Sequence, residues 1–184
     1  TSLDPVQLVG GTGSPYTQKM VALLRYRRIP YAIIWGQPET ACDELGVAAP
    51  KPTFMPTFFF EEGGELTAHC DSTPIIRRLE ADHAGRSVLP GDPALAFIDY
   101  LIEDFSDEWC TKYMFHYRWH FVADADNAGT KLPLSMDVSM PQAAFKQLKD
   151  YISQRQTERL WVVGSNEETA PIIDASYRRF LAAI

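Results

Sequence analysis

Cations are in short supply relative to anions. Seventeen Lys and Arg against 24 Asp and Glu leave the 184-residue chain with a net charge of −7. That balance argues against nucleic acid as the main partner, because a polyphosphate calls for a positive field. No run reaches 18 apolar residues, so no transmembrane helix is expected. Cysteine is sparse, and Cys42, Cys70 and Cys110 are odd in number and widely spaced. They suit reduced thiols in a cytoplasmic protein better than a disulfide framework or a zinc site. The opening residues TSLDPVQLVGG lack a basic region followed by a long apolar run, so no secretory signal is expected there. No repeat or low-complexity tract is evident. What remains is ordinary: 46% hydrophobic and 22% charged residues fit a folded chain, of a length for one average domain or two small ones.

Several familiar signatures are also missing. Gly10-Gly11-Thr12-Gly13 lacks the Lys-Ser/Thr ending of a phosphate-binding loop and the glycine spacing of a dinucleotide fingerprint. Asp124 to Gly129 begins like a calcium loop, but Ala128 stands at position five and Ser135 at position twelve, where a bidentate Glu belongs, so the ligand count is too low. His116 and His120 stand one helical turn apart, yet no Glu follows His116, so no metalloprotease helix and no metal site are expected. Ser14-Pro15-Tyr16-Thr17 has no cysteine at either end, which disfavours thiol–disulfide exchange.

Residues 1 to about 84 alternate short apolar runs with turn signals. Val6 to Val9 reads as a strand, followed by the glycine-rich turn. Ser14-Pro15 then opens a helix, with Ser as N-cap and Pro at the first helical position. Tyr16, Met20, Leu23, Leu24 and Arg27 follow at helical spacing, and Arg25, Arg27 and Arg28 complement the dipole at its end. Ile29-Pro30 stops it, and Tyr31 to Trp35 is a second strand, parallel to the first. Gln37 to Lys51 is irregular, with room for one short helix. Thr57-Phe58-Phe59-Phe60 is a buried strand, Glu61 to Gly64 a hairpin turn, and Glu65 to His69 the returning strand. Asp71-Ser72-Thr73-Pro74 starts a helix that Gly85 closes. The order βαβ-ββα implies an α/β domain with a mixed sheet.

The remainder is expected to be all helical. Arg86 to Asp92 reads as a linker. A helix from Asp92-Pro93 carries a wide apolar stripe (Ala94, Leu95, Phe97, Ile98, Leu101, Ile102, Phe105) and runs to about Trp119. Residues 123–138 read as a long polar loop. Ser139-Met140-Pro141-Gln142 has the form of a capping box, opening a helix through Phe145, Leu148 and Ile152 towards Gly164. Thr169-Ala170-Pro171 starts a last helix, in which the sequence ends at an apolar Ile184.

Ser14 to Lys19 after a first strand, Met55-Pro56 before a third, and Asp71-Ser72 before a helix together resemble the N-terminal half of glutathione S-transferases. The resemblance implies a thioredoxin-like, glutathione-binding domain over residues 1–84, a linker at 85–92, and the family's helical C-terminal domain over 93–184. That domain has further helices in the family, so the chain is expected to be incomplete at its C-terminus.

The resemblance also implies roles. A free thiol has a pKa of ~8.5, so a transferase must stabilise the glutathione thiolate. Ser14 occupies the catalytic position, where a hydroxyl at a helix N-terminus can donate to sulfur beside the positive end of the dipole. Met55 precedes an expected cis proline, Pro56, and would pair its backbone with the cysteinyl unit of glutathione like an added strand. Asp71 would meet the γ-glutamyl ammonium, and Ser72 with the helix amides its carboxylate. Phe54 fills the slot where many members carry Lys or Gln for the glycyl end. Tyr16, together with Tyr113, His116 and Tyr117 on an aromatic-rich helix, is the expected surface for a small hydrophobic electrophile, although interhelical packing explains that helix equally well. The implied protein is a cytoplasmic homodimer acting in detoxification. A non-catalytic binding or assembly module of the same fold is the alternative.

Overall fold

The structure, a computed structural model, describes residues 2–184. The chain divides into two compact units, one ending at Asp92 and the other beginning at Pro93.

The first unit is a four-stranded mixed sheet with helices. Its elements are β1 (Ser2–Gly10), α1 (Pro15–Arg27), β2 (Tyr31–Trp35), α2 (Pro38–Leu45), β3 (Thr57–Glu62), β4 (Glu65–His69) and α3 (Ser72–Asp82). The strand order is β2-β1-β3-β4. β1 runs parallel to β2, pairing Val6 with Tyr31 through Gly10 with Trp35. It runs antiparallel to β3, with Leu8 opposite Phe58, and β3 is antiparallel to β4. The hairpin between β3 and β4 turns on Gly63 and Gly64, whose φ values of 61° and 86° suit glycine.

Three consecutive phenylalanines, 58 to 60, are each 0% exposed because both faces of the sheet are covered. Side chains alternate along a strand. Phe58 and Phe60 therefore join Met20, Leu23 and Leu24 of α1 and Ile75, Ile76 and Leu79 of α3. Phe59 points the other way, to Val9 and to Ala41 and Cys42 of α2. The segment 85–92 belongs to this unit. Val88 packs on the core, its N–H donates to Glu80, and the Gly85 carbonyl accepts from Arg27.

The second unit is helical throughout: α4 (Pro93–Phe105), α5 (Thr111–Trp119), α6 (Val122–Met136), α7 (Gln142–Thr157) and α8 (Ala170–Ala183). A π turn at Ser106–Cys110 joins α4 to α5, and a 3-10 turn at Leu160–Val163 follows α7. The apolar stripe of α4 is exposed, Leu95, Phe97, Ile98 and Leu101 included. Among the described residues no helix is long and apolar enough to cross a membrane.

Three local expectations are corrected. Residues 123–138 do not form a loop; α6 runs through them to Met136. Gly129 lies against Ser153 and Lys149 of α7, and a Cβ there would displace the Ser153 hydroxyl, so this glycine marks a point of close helix approach. Ser139 does not cap α7. Its N–H and Oγ both donate to Asp137 Oδ1, at 2.8 and 2.6 Å, and the helix starts after Pro141 without a side-chain cap. Gly85 does not close α3, which ends at Asp82 with His83 extended.

Candidate functional site

The sheet topology gathers four chain segments at one end. β1 ends there, and because β3 is antiparallel to β1, β3 begins there. By the same argument β4 ends there. The turn into α1, the turn into β3 and the start of α3 are therefore neighbours, although they are up to 60 residues apart in sequence.

Ser14 is the N-cap of α1, with extended backbone, and its Oγ accepts from the Thr17 N–H at 3.2 Å. The next residue, Pro15, fits the first helical position because its missing N–H costs no hydrogen bond there. The Ser14 carbonyl accepts from Gln18 N, and the Gln18 side chain returns a bond to the Thr12 carbonyl. Thr17 is fully buried beneath this turn, and its Oγ1 accepts from Gly11 N. It packs so closely on Gly10 that a Cβ there would meet Thr17 Cγ2 at 2.6 Å. These contacts fix the loop that carries Ser14.

The Met55–Pro56 peptide bond is cis, as the sequence led us to expect. Pro56 is buried and Met55 half-buried. The Met55 sulfur lies against Gly11, 3.1 Å from where a Cβ would stand, which puts this turn beside the loop of Ser14. Phe54 is 58% exposed. Its carbonyl accepts from Thr57 Oγ1 at 2.8 Å.

Asp71 is the N-cap of α3, and its Oδ1 accepts from Thr73 N. Its φ of 83° lies in the left-handed region that disfavours every side chain with a Cβ. Ser72 is 6% exposed, and its Oγ accepts from Lys19 Nζ at 3.0 Å. That bond ties α1 directly to the start of α3. Lys19 was not singled out in the sequence, because a Lys five residues after an N-cap reads as a solvated helix position.

The aromatic helix α5 sits in the second unit. Tyr113 is 9% exposed, and its hydroxyl is 2.9 Å from Ser176 Oγ of α8. His116 is 1% exposed, with Nδ1 at 2.8 Å from Ser165 Oγ. Burial holds its pKa below the ordinary 6.5, and the neighbouring His120 adds to the effect. The two imidazoles stack with centroids 4.7 Å apart. Tyr117 donates to Asp174 Oδ1 at 2.7 Å. Burial, followed by that carboxylate, pushes its phenol up to about 12. Asp174 is held below the usual range by its bonds from Arg178 and Tyr117. Tyr113, His116 and Tyr117 thus bind α5 to α8 and to the turn before it. A cavity of about 590 Å³ lies at the end of α5, lined by Trp119, His120, Leu160, Trp161 and Glu167 among others. Tyr113, His116 and Tyr117 are not part of its wall.

Ser14, Met55, Pro56, Asp71 and Ser72 are thus gathered at one end of the first sheet. A hydroxyl, helix N-terminal amides, a carboxylate and a lysine converge there, a set suited to a small zwitterionic ligand. Residues 8–87 match the family model described as the glutathione S-transferase N-terminal domain. No curated protein matches the chain.

Proposed function

Since residues 8–87 form the thioredoxin-like N-terminal domain of the glutathione S-transferase family, followed by a helical region, we propose that this protein is a Ser-type glutathione transferase. In this reading Ser14 donates a hydrogen bond to the sulfur of glutathione and favours the thiolate at neutral pH. The thiolate then attacks a small apolar electrophile; a carbon–sulfur bond forms as the electrophile's leaving group departs or its acceptor carbon takes up the charge. The observation that carries the proposal is the position of the Ser14 oxygen at the N-terminus of a 13-residue helix. There the partial positive charge of the dipole and the hydroxyl act on the same anion.

Met55, Asp71 and Ser72 are proposed to hold the cysteinyl and γ-glutamyl parts. Tyr16, two residues beyond Ser14, is the proposed contact to the electrophile from α1. On α5 Tyr117 is the better candidate, since it is only half-buried whereas Tyr113 and His116 are buried against Ser176 and Ser165. The exposed apolar face of α4 supports a homodimer. A cytoplasmic detoxifying role follows from the same reading.

Replacing Ser14 by Ala is the test. Turnover with a reactive aryl halide should fall by roughly 10²-fold or more, the scale for losing one donor to a developing anion. Glutathione affinity, by calorimetry, should change little. Unchanged turnover would remove Ser14 from the mechanism. One observation favours the second reading, a non-catalytic module: Phe54, 58% exposed, offers no charge or amide to the glycyl end of glutathione. No heat of binding at millimolar glutathione would favour it.

A further inference from the structure

We propose that the cavity at the end of α5 binds an organic cation with an apolar or aromatic body. This site lies within the helical unit and does not depend on the glutathione reading. Its volume of about 590 Å³ falls in the range of small-molecule sites. Two indoles line it. Trp119 is a buried part of the wall, whereas Trp161 is 75% exposed. The backbone that carries Trp161 is fixed by its own hydrogen bonds. Val162 N donates to the Arg159 carbonyl, Gly164 N to that of Trp161, and Ser165 N to that of Leu160, each at 3.0 Å. A large aromatic surface is therefore presented to the cavity from a well-tied turn, with nothing in the chain covering it.

The polar side chains around the cavity divide into two groups. Ser165 Oγ lies 2.8 Å from His116 Nδ1, the Thr157 hydroxyl donates to the Ser153 carbonyl, and Asn166 Oδ1 accepts from the N–H groups of Glu168 and Thr169. These oxygens are occupied within the fold. The two carboxylates are not matched in the same way. Glu158 accepts from the neutral Gln154 amide at 2.9 Å, and Glu167 Oε1 stands 3.9 Å from His120 Nε2 with its side chain 95% exposed. Among the described residues that line the cavity there is no lysine or arginine. Two carboxylates and an open indole face thus border one apolar space. An anion is repelled there, and a neutral molecule gains nothing from the charges. A cation is attracted by the carboxylates and by the ring face together. The net charge of −7 on the chain adds a field that draws cations from solution.

The test titrates the full chain with three probes of similar size: benzyltrimethylammonium, the neutral alcohol 3-phenylpropanol and the anion 3-phenylpropionate. Calorimetry measures affinity, and the indole N–H resonances report where each probe sits. Wild type should bind the cation at millimolar concentration or below and shift the Trp161 indole resonance. It should prefer the cation to the alcohol by roughly five-fold or more, the scale of a cation–π contact, and show no binding of the anion. Trp161→Leu keeps apolar bulk but removes the ring face. It should weaken the cation by roughly three- to thirty-fold and change the alcohol little. Glu158→Lys reverses one charge and should weaken the cation by about ten-fold or more. Both residues are exposed, so neither change bears on folding. No saturable heat with millimolar cation would overturn the proposal. So would equal binding of cation and alcohol, or cation binding that survives both substitutions.

Discussion

Asp71 adopts a backbone conformation that a residue with a Cβ enters only at a cost. With φ at 83° it is one of three described non-glycine residues on the positive side, and it stands at the mouth of the candidate site. Such strain is of order 1–3 kcal/mol and persists only where the surroundings fix it. The Asp71 side chain caps α3 through Thr73 N, which recovers part of that cost. Glycine would relieve the backbone, and as an N-cap it is worse than Asp by only a few tenths of a kcal/mol. Asp71→Gly should therefore be at least as stable as wild type, by up to ~1 kcal/mol in denaturant melts. It should also bind glutathione at least about ten-fold more weakly, because the carboxylate that meets the ammonium is gone. Asp71→Ala keeps the strain and loses the cap, so it should be the less stable of the two. A glycine variant that is less stable than the alanine one would show that the left-handed backbone is not strained.

Among elements, the junction of α1 with α3 depends on a buried charge. Arg27 lies on the apolar face of α1 at 5% exposure and reaches Glu80 of α3 at 3.1 Å. Its other nitrogen donates to the carbonyls of His83 and Gly85, and Glu80 accepts from Val88 N. One guanidinium thus ties α1, the end of α3 and the segment after it. Breaking such a pair from one side leaves the partner charge uncompensated and costs ~3–5 kcal/mol, whereas replacing both sides by apolar groups costs far less. Arg27→Met should accordingly unfold at distinctly lower denaturant than wild type, and Arg27→Met with Glu80→Leu should recover much of the loss. If the double variant is no better than the single one, the carbonyl bonds rather than the ion pair hold the junction. The sequence placed Arg27 both at helical spacing with Met20, Leu23 and Leu24 and among the cations that complement the helix end, and spacing alone does not distinguish a buried arginine from a solvated one. Where a single period dominated, the elements were legible: the aromatic run of β3, the Ser-Pro start of α1 and the stripe of α4. α6 was not, since Gly129, Pro133 and the acidic Asp124 and Asp126 hide a helix stabilised by its contact with α7. The candidate site was legible residue by residue as far as Ser14, Met55, Pro56, Asp71 and Ser72. Lys19 was not, because its meaning depends on the position of Ser72, 53 residues away.

For the molecule as a whole, acid should act in two stages, the first of them in the helical unit. His116 is buried on α5 against Ser165, His120, Tyr117 and Phe121, with Asp174 the acidic group that bears on it. Burial, then His120, lowers its folded pKa below 6.5, and the Asp174 charge opposes that shift without reversing it. The unfolded chain therefore binds a proton at this site before the folded chain does. Stability is full above about pH 6.5 and falls as the pH drops from there towards the lowered folded value. The carboxylates held low by partners, Glu62 by Arg78 and Asp174 by Arg178 and Tyr117, contribute stability above their ordinary values of 4.5 and 3.8. They lose it only as pH falls below those values, so the two stages are separated. Three of the four tryptophans, Trp109, Trp119 and Trp161, lie in the helical unit, so indole fluorescence reports mainly on it. Thermal melts followed this way should fall in midpoint between pH 7.5 and 5.5. His116→Gln should melt lower at pH 7.5, because it disturbs a packed site, yet should show little change over the same interval. If the variant follows the slope of wild type, the early acid sensitivity belongs to another group and His116 is a packing residue alone.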